Sequence, residues 1–199
     1  MTNKFEQFDF AQMNQLERYK FLTGSVIPRP IAFVTTLNED GTVNAAPFSE
    51  FVIVATSPGI LGFSSGTGIS GTKDTVVNIR RTGEFVINTV PEHLAIPVQE
   101  CAEELPRNVS EIDKVNLKLL PSEKISVPRV AESRIQFECT VNTILEFGTK
   151  PNSFVIGNIQ LVHAQAGLVR DSKIDPREYK PLGRIGGRRY VKLGEFIDV

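Results

Sequence analysis

A glycine-rich loop before a predicted helix is the first feature of the sequence that could do chemistry. Residues 66–71 read GTGISG, which satisfies the G-x-G-x-x-G pattern of dinucleotide-binding loops. The loop delivers Thr72, Lys73 and Thr75 to the start of the helix, where unpaired backbone N–H groups and the helix dipole favour an anion. The residues therefore indicate a phosphate site. The alternative interpretation is a capped helix with a solvated lysine.

Two folds could present such a loop, and the lengths of the neighbouring elements favour one of them. In a dinucleotide-binding βαβ unit the helix returns the chain to a parallel strand, but only about three turns fit between Lys73 and Gly83. No further βαβ unit follows, and the second half of the chain contains long alternating strands. These features favour an antiparallel β protein. A Rossmann protein that binds NAD(H) without flavin stays as the alternative.

Few side chains are available for metal or nucleophilic chemistry. The chain has 2 His and 2 Cys, so a His-rich metal centre or a Ser-His-Asp hydrolase has few ways to form. Cys101 and Cys139 lie in no CxxC pattern, and we expect both to be free thiols. His163 ends an apolar strand and is interpreted as a structural histidine. Chemistry carried by a cofactor is therefore favoured, with no metal and no catalytic side chain.

The balance of charge argues against two classes of partner. Lys and Arg number 22 against 23 Asp and Glu, with no long run of one sign, so neither nucleic acid nor an anionic membrane is expected as a partner. The first residues lack the basic start and apolar stretch of a signal peptide, and no segment reaches the length of a membrane span. We therefore expect a cytoplasmic protein of one domain, residues 1–199.

Alternating and β-branched segments predict most of the strands. Residues 31–37 and the extended run 42–54 predict a β-hairpin around a turn at 38–41. Residues 134–147 alternate most regularly and predict a half-buried strand that pairs with a second strand ending at Ala164. One face of residues 134–147 should carry Ile135, Phe137, Cys139, Val141 and Leu145, and the opposite face Arg134, Gln136, Glu138 and Asn142.

The other predicted elements are shorter, and two segments are expected to be irregular. They are strands at 59–65 and 84–90, a helix at 72–81 with Thr72 as its N-cap and Gly83 at its end, a helix at 93–105, an N-terminal arm at about 1–20 and an irregular excursion at about 106–131.

Ordered blocks along the chain carry a resemblance to a known family. They are YKFLTGSVIPRPIAFVTT (Tyr19 to Thr36), GTVNAAPFSEF (Gly41 to Phe51), KDTVVNI (Lys73 to Ile79), GEFVINTV (Gly83 to Val90), VIGNIQLVHA (155–164) and YKPLGRIGGRRYV (Tyr179 to Val191). With these blocks in this order, the chain resembles the flavin reductase-like family, particularly its flavoredoxin-type branch, across nearly its whole length.

The resemblance implies a fold, a cofactor and an assembly. It implies a mainly β protein built as a six-stranded antiparallel split β-barrel of Greek-key type, with a few short flanking helices. It also implies a homodimer that holds FMN near the subunit interface. None of this follows from composition.

The resemblance also assigns candidate cofactor-binding residues. Thr35 and Thr36 are expected near the flavin or its ribityl chain, and Arg29 and Arg184 could compensate phosphate or flavin charge. The small residues Ala45 and Ala46 would let a flat ring approach the backbone. The remaining candidates are Asn44, Pro47, Phe48 and Ser49 at the ring and Ser64, Lys73 and Thr75 at the phosphate.

The function expected from these residues is that of an FMN-binding oxidoreductase. The leading hypothesis is a flavin reductase that passes hydride from NADH or NADPH to FMN, because the flavin needs no side-chain nucleophile. The alternatives are a flavoredoxin-like electron-transfer protein and a non-catalytic flavin-binding protein. If the chain is a flavin reductase or a flavoredoxin-like protein, a redox or monooxygenase partner would take the electrons.

Overall fold

Most of the regular structure is antiparallel β-sheet. A computed structural model describes residues 4–68, 71–106, 109–150 and 152–199. The strands are β1 (Ala32–Leu37), β2 (Val43–Phe48), β3 (Phe51–Thr56), β4 (Gly59–Ser65), β5 (Thr67–Gly68), β6 (Gly71–Thr72), β7 (Glu84–Thr89), β8 (Leu119–Leu120), β9 (Arg129–Val130), β10 (Ile135–Phe147), β11 (Asn152–Ala164), β12 (Val169–Arg170), β13 (Lys173–Ile174), β14 (Leu182–Gly186) and β15 (Arg189–Lys192). The helices are α1 (Gln15–Ser25), α2 (Asp74–Thr82), α3 (Ala95–Glu100), α4 (Glu111–Lys114) and α5 (Pro176–Tyr179), with a 3-10 turn at Glu92–Leu94.

The main sheet has seven strands, whereas six were expected. Its order is β2-β1-β7-β10-β11-β4-β3, with every neighbouring pair antiparallel. The extra strand arises because the extended run 42–54 breaks at residues 49–50 into β2 and β3, which lie at opposite edges of the sheet. The two edges are not hydrogen-bonded to each other, so the sheet is not closed. The ring of Phe48 on β2 nevertheless packs 4.8 Å from that of Phe63 on β4, measured between centroids.

The topology excludes the Rossmann alternative. Strands β4 and β7, which flank the glycine-rich loop and α2, are separated in the sheet by β10 and β11 and run in opposite directions. A βαβ unit would make them parallel. Part of the loop forms the β5–β6 pair, and its residues 69–70 lie outside the described residues.

The first predicted hairpin is confirmed. Strands β1 and β2 pair from Ala32 with Phe48 to Leu37 with Val43. In the turn, Gly41 has a φ of 85°, a value that glycine adopts without steric cost. Asp40 Oδ1 accepts hydrogen bonds from both the backbone and the hydroxyl of Thr42. Local turn chemistry therefore sets this register.

Helix α2 packs its apolar side into the core of the sheet. Val76 and Ile79 belong to the same buried cluster as Phe63 and Phe85, and Gly83 ends the helix in the left-handed conformation with a φ of 72°. The start of the helix differs from the prediction. The N-cap is Lys73, with no side-chain capping bond, because Thr72 is paired in the β5–β6 hairpin.

The first half of strand β10 is buried on its polar side as well as its apolar side, whereas Asn142 and Leu145 in its second half are exposed. Gln136 and Glu138 were expected to face solvent, but both are buried. Gln136 donates to the carbonyls of Val130 and Ser133, and Glu138 accepts from the backbone of the 106–131 segment. That segment therefore covers this face, so the prediction of a half-buried strand was wrong here.

Three further segments have boundaries that differ from those expected. The 106–131 segment, expected to be irregular, carries α4 and the β8–β9 pair. The predicted helix at 93–105 is reduced to the 3-10 turn and α3. Helix α1 begins inside the expected N-terminal arm, with Asn14 and Glu17 forming a capping box. None of the helices in the described ranges is long and apolar enough to cross a membrane.

Candidate functional site

A cleft of about 820 Å³ opens between the end of β2, the end of β4, helix α1 and the β14–β15 hairpin. Seven of the thirteen predicted site residues line it: Arg29, Pro47, Phe48, Ser49, Ser64, Lys73 and Arg184. Among the described residues, its charged lining consists of the four cationic side chains Arg29, Lys73, Lys150 and Arg184 and the carboxylate of Glu50. The cleft therefore favours an anionic ligand. Its volume lies within the range of about 300–1,000 Å³ typical of ligand and cofactor sites.

A smaller cavity of about 80 Å³ adjoins the cleft. The two share Pro47, Gly68, Lys73 and Ala102 in their walls. Three more predicted site residues, Asn44, Ala46 and Thr75, line the smaller cavity instead of the cleft. The smaller cavity is thus a recess behind the part of the cleft wall that β2 forms, here called the β2 wall.

Lys73 is the strongest anion-binding candidate in the cleft. It lies half-buried at the N-cap of α2, with Nζ 5.8 Å from the centroid of the Phe48 ring. Within the described ranges no hydrogen-bond acceptor or carboxylate is paired with Lys73. Ser64, at the end of β4, lines the same part of the cleft. Lys73 therefore has its three N–H donors available for a ligand.

A buried polar network lies behind this wall. The amide of Asn44 donates to the hydroxyls of Thr36 at 3.1 Å and Thr75 at 3.0 Å. The amide of Asn78 donates to the Thr36 hydroxyl at 3.1 Å and to Asn38 Oδ1 at 2.8 Å. These bonds fix the start of α2, and with it Lys73, against β1 and β2. A fully satisfied network of this kind makes its surroundings rigid.

Thr35, Thr36 and Ala45 line neither cavity. Both threonines are buried, because α2 covers one face of β1 and the 106–131 segment covers the other. The Thr35 hydroxyl donates to the Pro128 carbonyl at 2.8 Å. The structure therefore places these three residues in supporting positions, one layer away from the cleft.

Glu111 occupies the recess and was missed by the sequence analysis. Its Oε2 accepts a hydrogen bond from the backbone N–H of Ala45 at 2.9 Å. Burial raises the pKa of the Glu111 carboxyl and the charge of Asp74 adds to the rise, while the bond from Ala45 opposes it. No sequence signal marks this residue, since it begins a helix of one turn in the 106–131 segment, which was expected to be irregular.

Arg29 lies at the C-terminal end of α1, and its shortest hydrogen bonds go to backbone carbonyls there. Its Nη1 donates to the carbonyls of Thr23 at 2.7 Å and Val26 at 2.8 Å, at the C-terminal end of that helix. Its Nε approaches Ser49 Oγ at 3.4 Å and Glu50 Oε1 at 3.8 Å. Arg29 thus holds α1 beside the cleft and joins it to the end of β2.

Arg184 lines the cleft from β14, next to Arg29. Its backbone exchanges hydrogen bonds with that of Arg29. Its guanidinium carbon lies 4.7 Å from the centroid of the Tyr190 ring, and Nη1 donates to Gln99 Oε1 at 2.9 Å. Tyr190 also lines the cleft, and it could have been found from the sequence because it belongs to the last block of the resemblance.

His163 is separate from both cavities. Its Nε2 lies 2.5 Å from Oε1 of the buried Glu138, so it has a structural partner as expected. Cys101 and Cys139 are free and buried, which confirms the prediction for both thiols. In the ranges that the structure describes, no three His, Cys, Asp or Glu side chains converge as a metal site.

Comparisons with known proteins show the family and the fold of this chain. The profile of the flavin reductase like domain matches residues 23–182. Nitrilotriacetate monooxygenase component B from Bacillus cereus is 35% identical, with a TM-score of 0.96 over 100% of both chains. The 2-nitrobenzoate 2-nitroreductase of Pseudomonas fluorescens is 32% identical, with a TM-score of 0.87 over 98% of this chain and 95% of that one.

A third solved structure identifies the architecture. A protein with a split barrel domain from Shewanella frigidimarina is 18% identical, with a TM-score of 0.86 over 98% of both chains. At this level of identity the likeness shows the fold alone. The seven-stranded sheet of this chain is therefore the sheet of a split barrel.

Proposed function

Since the chain belongs to the flavin reductase-like domain family, we propose that it binds FMN in the larger cleft and reduces it with NADH or NADPH. The observation that carries the proposal is the half-buried Lys73, which has no acceptor or carboxylate partner in the described part of the chain and lies at the wall of an 820 Å³ cleft rich in cations. Such a cation beside the start of α2 suits a phosphate group.

The residues of the cleft fit FMN in charge and in shape. Lys73 and Ser64 would hold the phosphate at the junction of β4 and α2, where the glycines of the loop leave the backbone accessible. Pro47 and Phe48 offer an apolar wall of the kind that a flat ring system contacts. Because Phe48 is packed against Phe63, that wall is held in place by the core.

In this proposal, buried residues behind Pro47 and Phe48 hold the residues of the cleft in position. The Asn44 and Asn78 amides hold Thr75 and Thr36 together, and Glu111 fixes the backbone of Ala45. When bound, FMN supplies the redox chemistry by accepting hydride from a nicotinamide and passing electrons on. The protein then contributes position, exclusion of water and positive charge beside a group that becomes more negative on reduction.

Two further proposals concern partners. The names of two similar solved structures support either a monooxygenase partner or a small organic acceptor as the recipient of electrons. We also propose a homodimer that covers the β3 edge next to the cleft. Val52, Ile53 and Val54 are exposed there along an edge strand, which proteins normally cover. Light scattering on Ile53→Lys should then show monomers where the wild type shows dimers.

The test begins with the visible absorption spectrum of the purified protein with added FMN. A bound flavin spectrum that bleaches on anaerobic addition of NADH or NADPH supports the reductase. Bound flavin that stays oxidised with both nucleotides would instead indicate the electron-transfer or non-catalytic alternative. Absence of FMN binding would remove the proposal.

Substitutions at the phosphate position locate the site. Lys73→Ala should weaken FMN binding by about 10- to 100-fold, since a charge-assisted hydrogen bond contributes about 1.5–3 kcal/mol. Thr75→Ala should weaken it less, because Thr75 is buried and acts through Asn44. Lys173→Ala, at an exposed position in the β12–β13 hairpin, is the matched control and should bind FMN like the wild type.

A further inference from the structure

The side chain of Arg184 lines the cleft with part of its hydrogen-bonding capacity unused. Nη1 donates to Gln99 Oε1 and to the Tyr190 hydroxyl, and Nη2 donates to the Gly187 carbonyl. Because a guanidinium has five N–H donors, these three bonds leave two without an acceptor in the described ranges. The surroundings of Arg184 thus leave room for one more ligand.

The charge of Arg184 is also uncompensated. All of its partners are neutral oxygen atoms, and none of the carboxylates that the structure describes lies within ion-pair distance of it. A half-buried guanidinium in this state favours an anion, and its planar donors pair well with the two oxygens of a carboxylate.

Aromatic and open surfaces lie beside this cation. The Tyr190 ring contacts the guanidinium, and Tyr19 of α1 lines the same cleft. Gly186 and Gly187 also line it, and a Cβ added at either position would have no neighbouring atom within 4 Å. The β14–β15 hairpin therefore leaves space for a flat ring, which tyrosine rings contact favourably.

We propose that Arg184, Tyr190 and Tyr19 form a subsite for a small aromatic carboxylate in the same cleft as the flavin. This inference rests on the proposed function, because it places an organic electron acceptor beside FMN. Arg184 pairs with the carboxylate while the two tyrosines contact the ring. Arg29 supports the subsite from behind, since its bonds to Thr23 and Val26 hold α1, and with it Tyr19, over the cleft.

The two anion positions of the cleft are formed by different elements. Lys73 and Ser64 come from α2 and β4, whereas Arg184 and Tyr190 come from the C-terminal hairpin. With the phosphate of FMN held by Lys73, Arg184 is left for a different anion. Substitution of Arg184 should therefore change acceptor binding and leave FMN affinity unchanged.

Calorimetric titration of the FMN-loaded, oxidised protein with benzoate and with benzamide tests the subsite. Benzamide has nearly the same shape without the charge, so the wild type should bind benzoate about tenfold more tightly or better. Arg184→Gln should abolish this preference. Arg189→Gln, an exposed arginine of the same hairpin that does not line the cleft, should retain it.

Several results would overturn the inference. Equal affinity for the two ligands in the wild type would do so without any variant, and so would an unchanged preference in a folded Arg184→Gln. Displacement of benzoate by inorganic phosphate at similar concentration would indicate a general oxyanion site for a nucleotide. Loss of FMN affinity in Arg184→Gln would assign Arg184 to the cofactor. If no FMN binds, the proposed function fails, while the same titrations without FMN still decide on the subsite.

Discussion

The carboxylate of Glu111 accepts a hydrogen bond from the backbone N–H of Ala45 at 2.9 Å. The neighbouring Ser110 hydroxyl donates to the Val43 carbonyl at 2.7 Å. Strand β2 lies at an edge of the sheet, where its backbone groups have no neighbouring strand to pair with. The side chains of Ser110 and Glu111 thus bond to backbone groups on this edge. The position of the β2 wall therefore depends on the segment that carries α4.

Glu111→Gln should flatten the dependence of stability on pH. Because burial raises the pKa of Glu111, the folded chain holds this proton more tightly than the unfolded chain. The wild type should therefore lose free energy of unfolding as pH rises from about 4.3, the pKa of an unperturbed Glu, through the raised value. Urea unfolding at several pH values measures this loss, and a constant difference between the two proteins would contradict it.

Glu111→Ala separates the charge from the hydrogen bond. Alanine removes the acceptor of the Ala45 N–H as well as the charge, and an unsatisfied buried N–H costs about 1–3 kcal/mol. This variant should be less stable than Glu111→Gln at every pH. Equal stability of the two variants would show that the bond to Ala45 contributes nothing.

Glu138→Gln should loosen the cover over β10 and alter acid stability. Burial acts to raise the pKa of Glu138, but bonds from the backbone N–H groups of Glu123 and Lys124 and from His163 outweigh it and lower the pKa. The carboxylate therefore stabilises the fold above the unfolded pKa, and this contribution is lost as pH falls through the lower folded value.

The measurement for Glu138→Gln is hydrogen exchange at residues 121–128 together with urea unfolding. Loss of one acceptor should cost about 1–3 kcal/mol at neutral pH and speed exchange in this segment, with a difference from wild type that shrinks in acid. His163→Ala is the matched variant. It should have the smaller effect, because Glu138 keeps both backbone donors, at 2.9 and 2.7 Å.

Elements set by local sequence were predicted well. The β1–β2 hairpin follows from alternation and from the turn residues Asp40 and Gly41, and the end of α2 follows from Gly83. Lys73 and Ser64 flank the glycine-rich loop of residues 66–71, and Lys73 also begins the KDTVVNI segment of the resemblance. In each case the physical cause lies within a few residues of the feature it explains.

Features set by distant contacts were not predicted. Thr35 and Gln136 are buried because the 106–131 segment packs over this face of the sheet. The Thr35 hydroxyl donates to the Pro128 carbonyl, 93 residues further along the chain. The role of Glu111 depends on β2, 66 residues away. Alternation along a strand reports which side chains are apolar, but it does not report what covers the other face.

The thiols of Cys101 and Cys139 should not react in the folded protein. Burial raises the pKa of each to about 12, so the reactive thiolate is scarce and reagent cannot reach it. A disulfide reagent such as DTNB at about pH 8, near the pKa of an unperturbed thiol, should release no colour from the folded chain. It should release two equivalents per chain after unfolding in urea, one for each cysteine. Fast release before unfolding would contradict the buried placement.

Gly157→Ala should strongly destabilise the sheet where β11 passes the core. A Cβ at position 157 would lie 2.3 Å from Cζ of Phe85 and 3.3 Å from Cβ of Cys139. Phe85 is fully buried and packs against Phe63, so the clash should cost about 1–3 kcal/mol or more. Gly194→Ala is the control, because a Cβ there meets no atom within 4 Å. Thermal unfolding of both variants should show a lowered midpoint for Gly157→Ala alone, and equal midpoints would mean that the ring of Phe85 is not fixed by its neighbours.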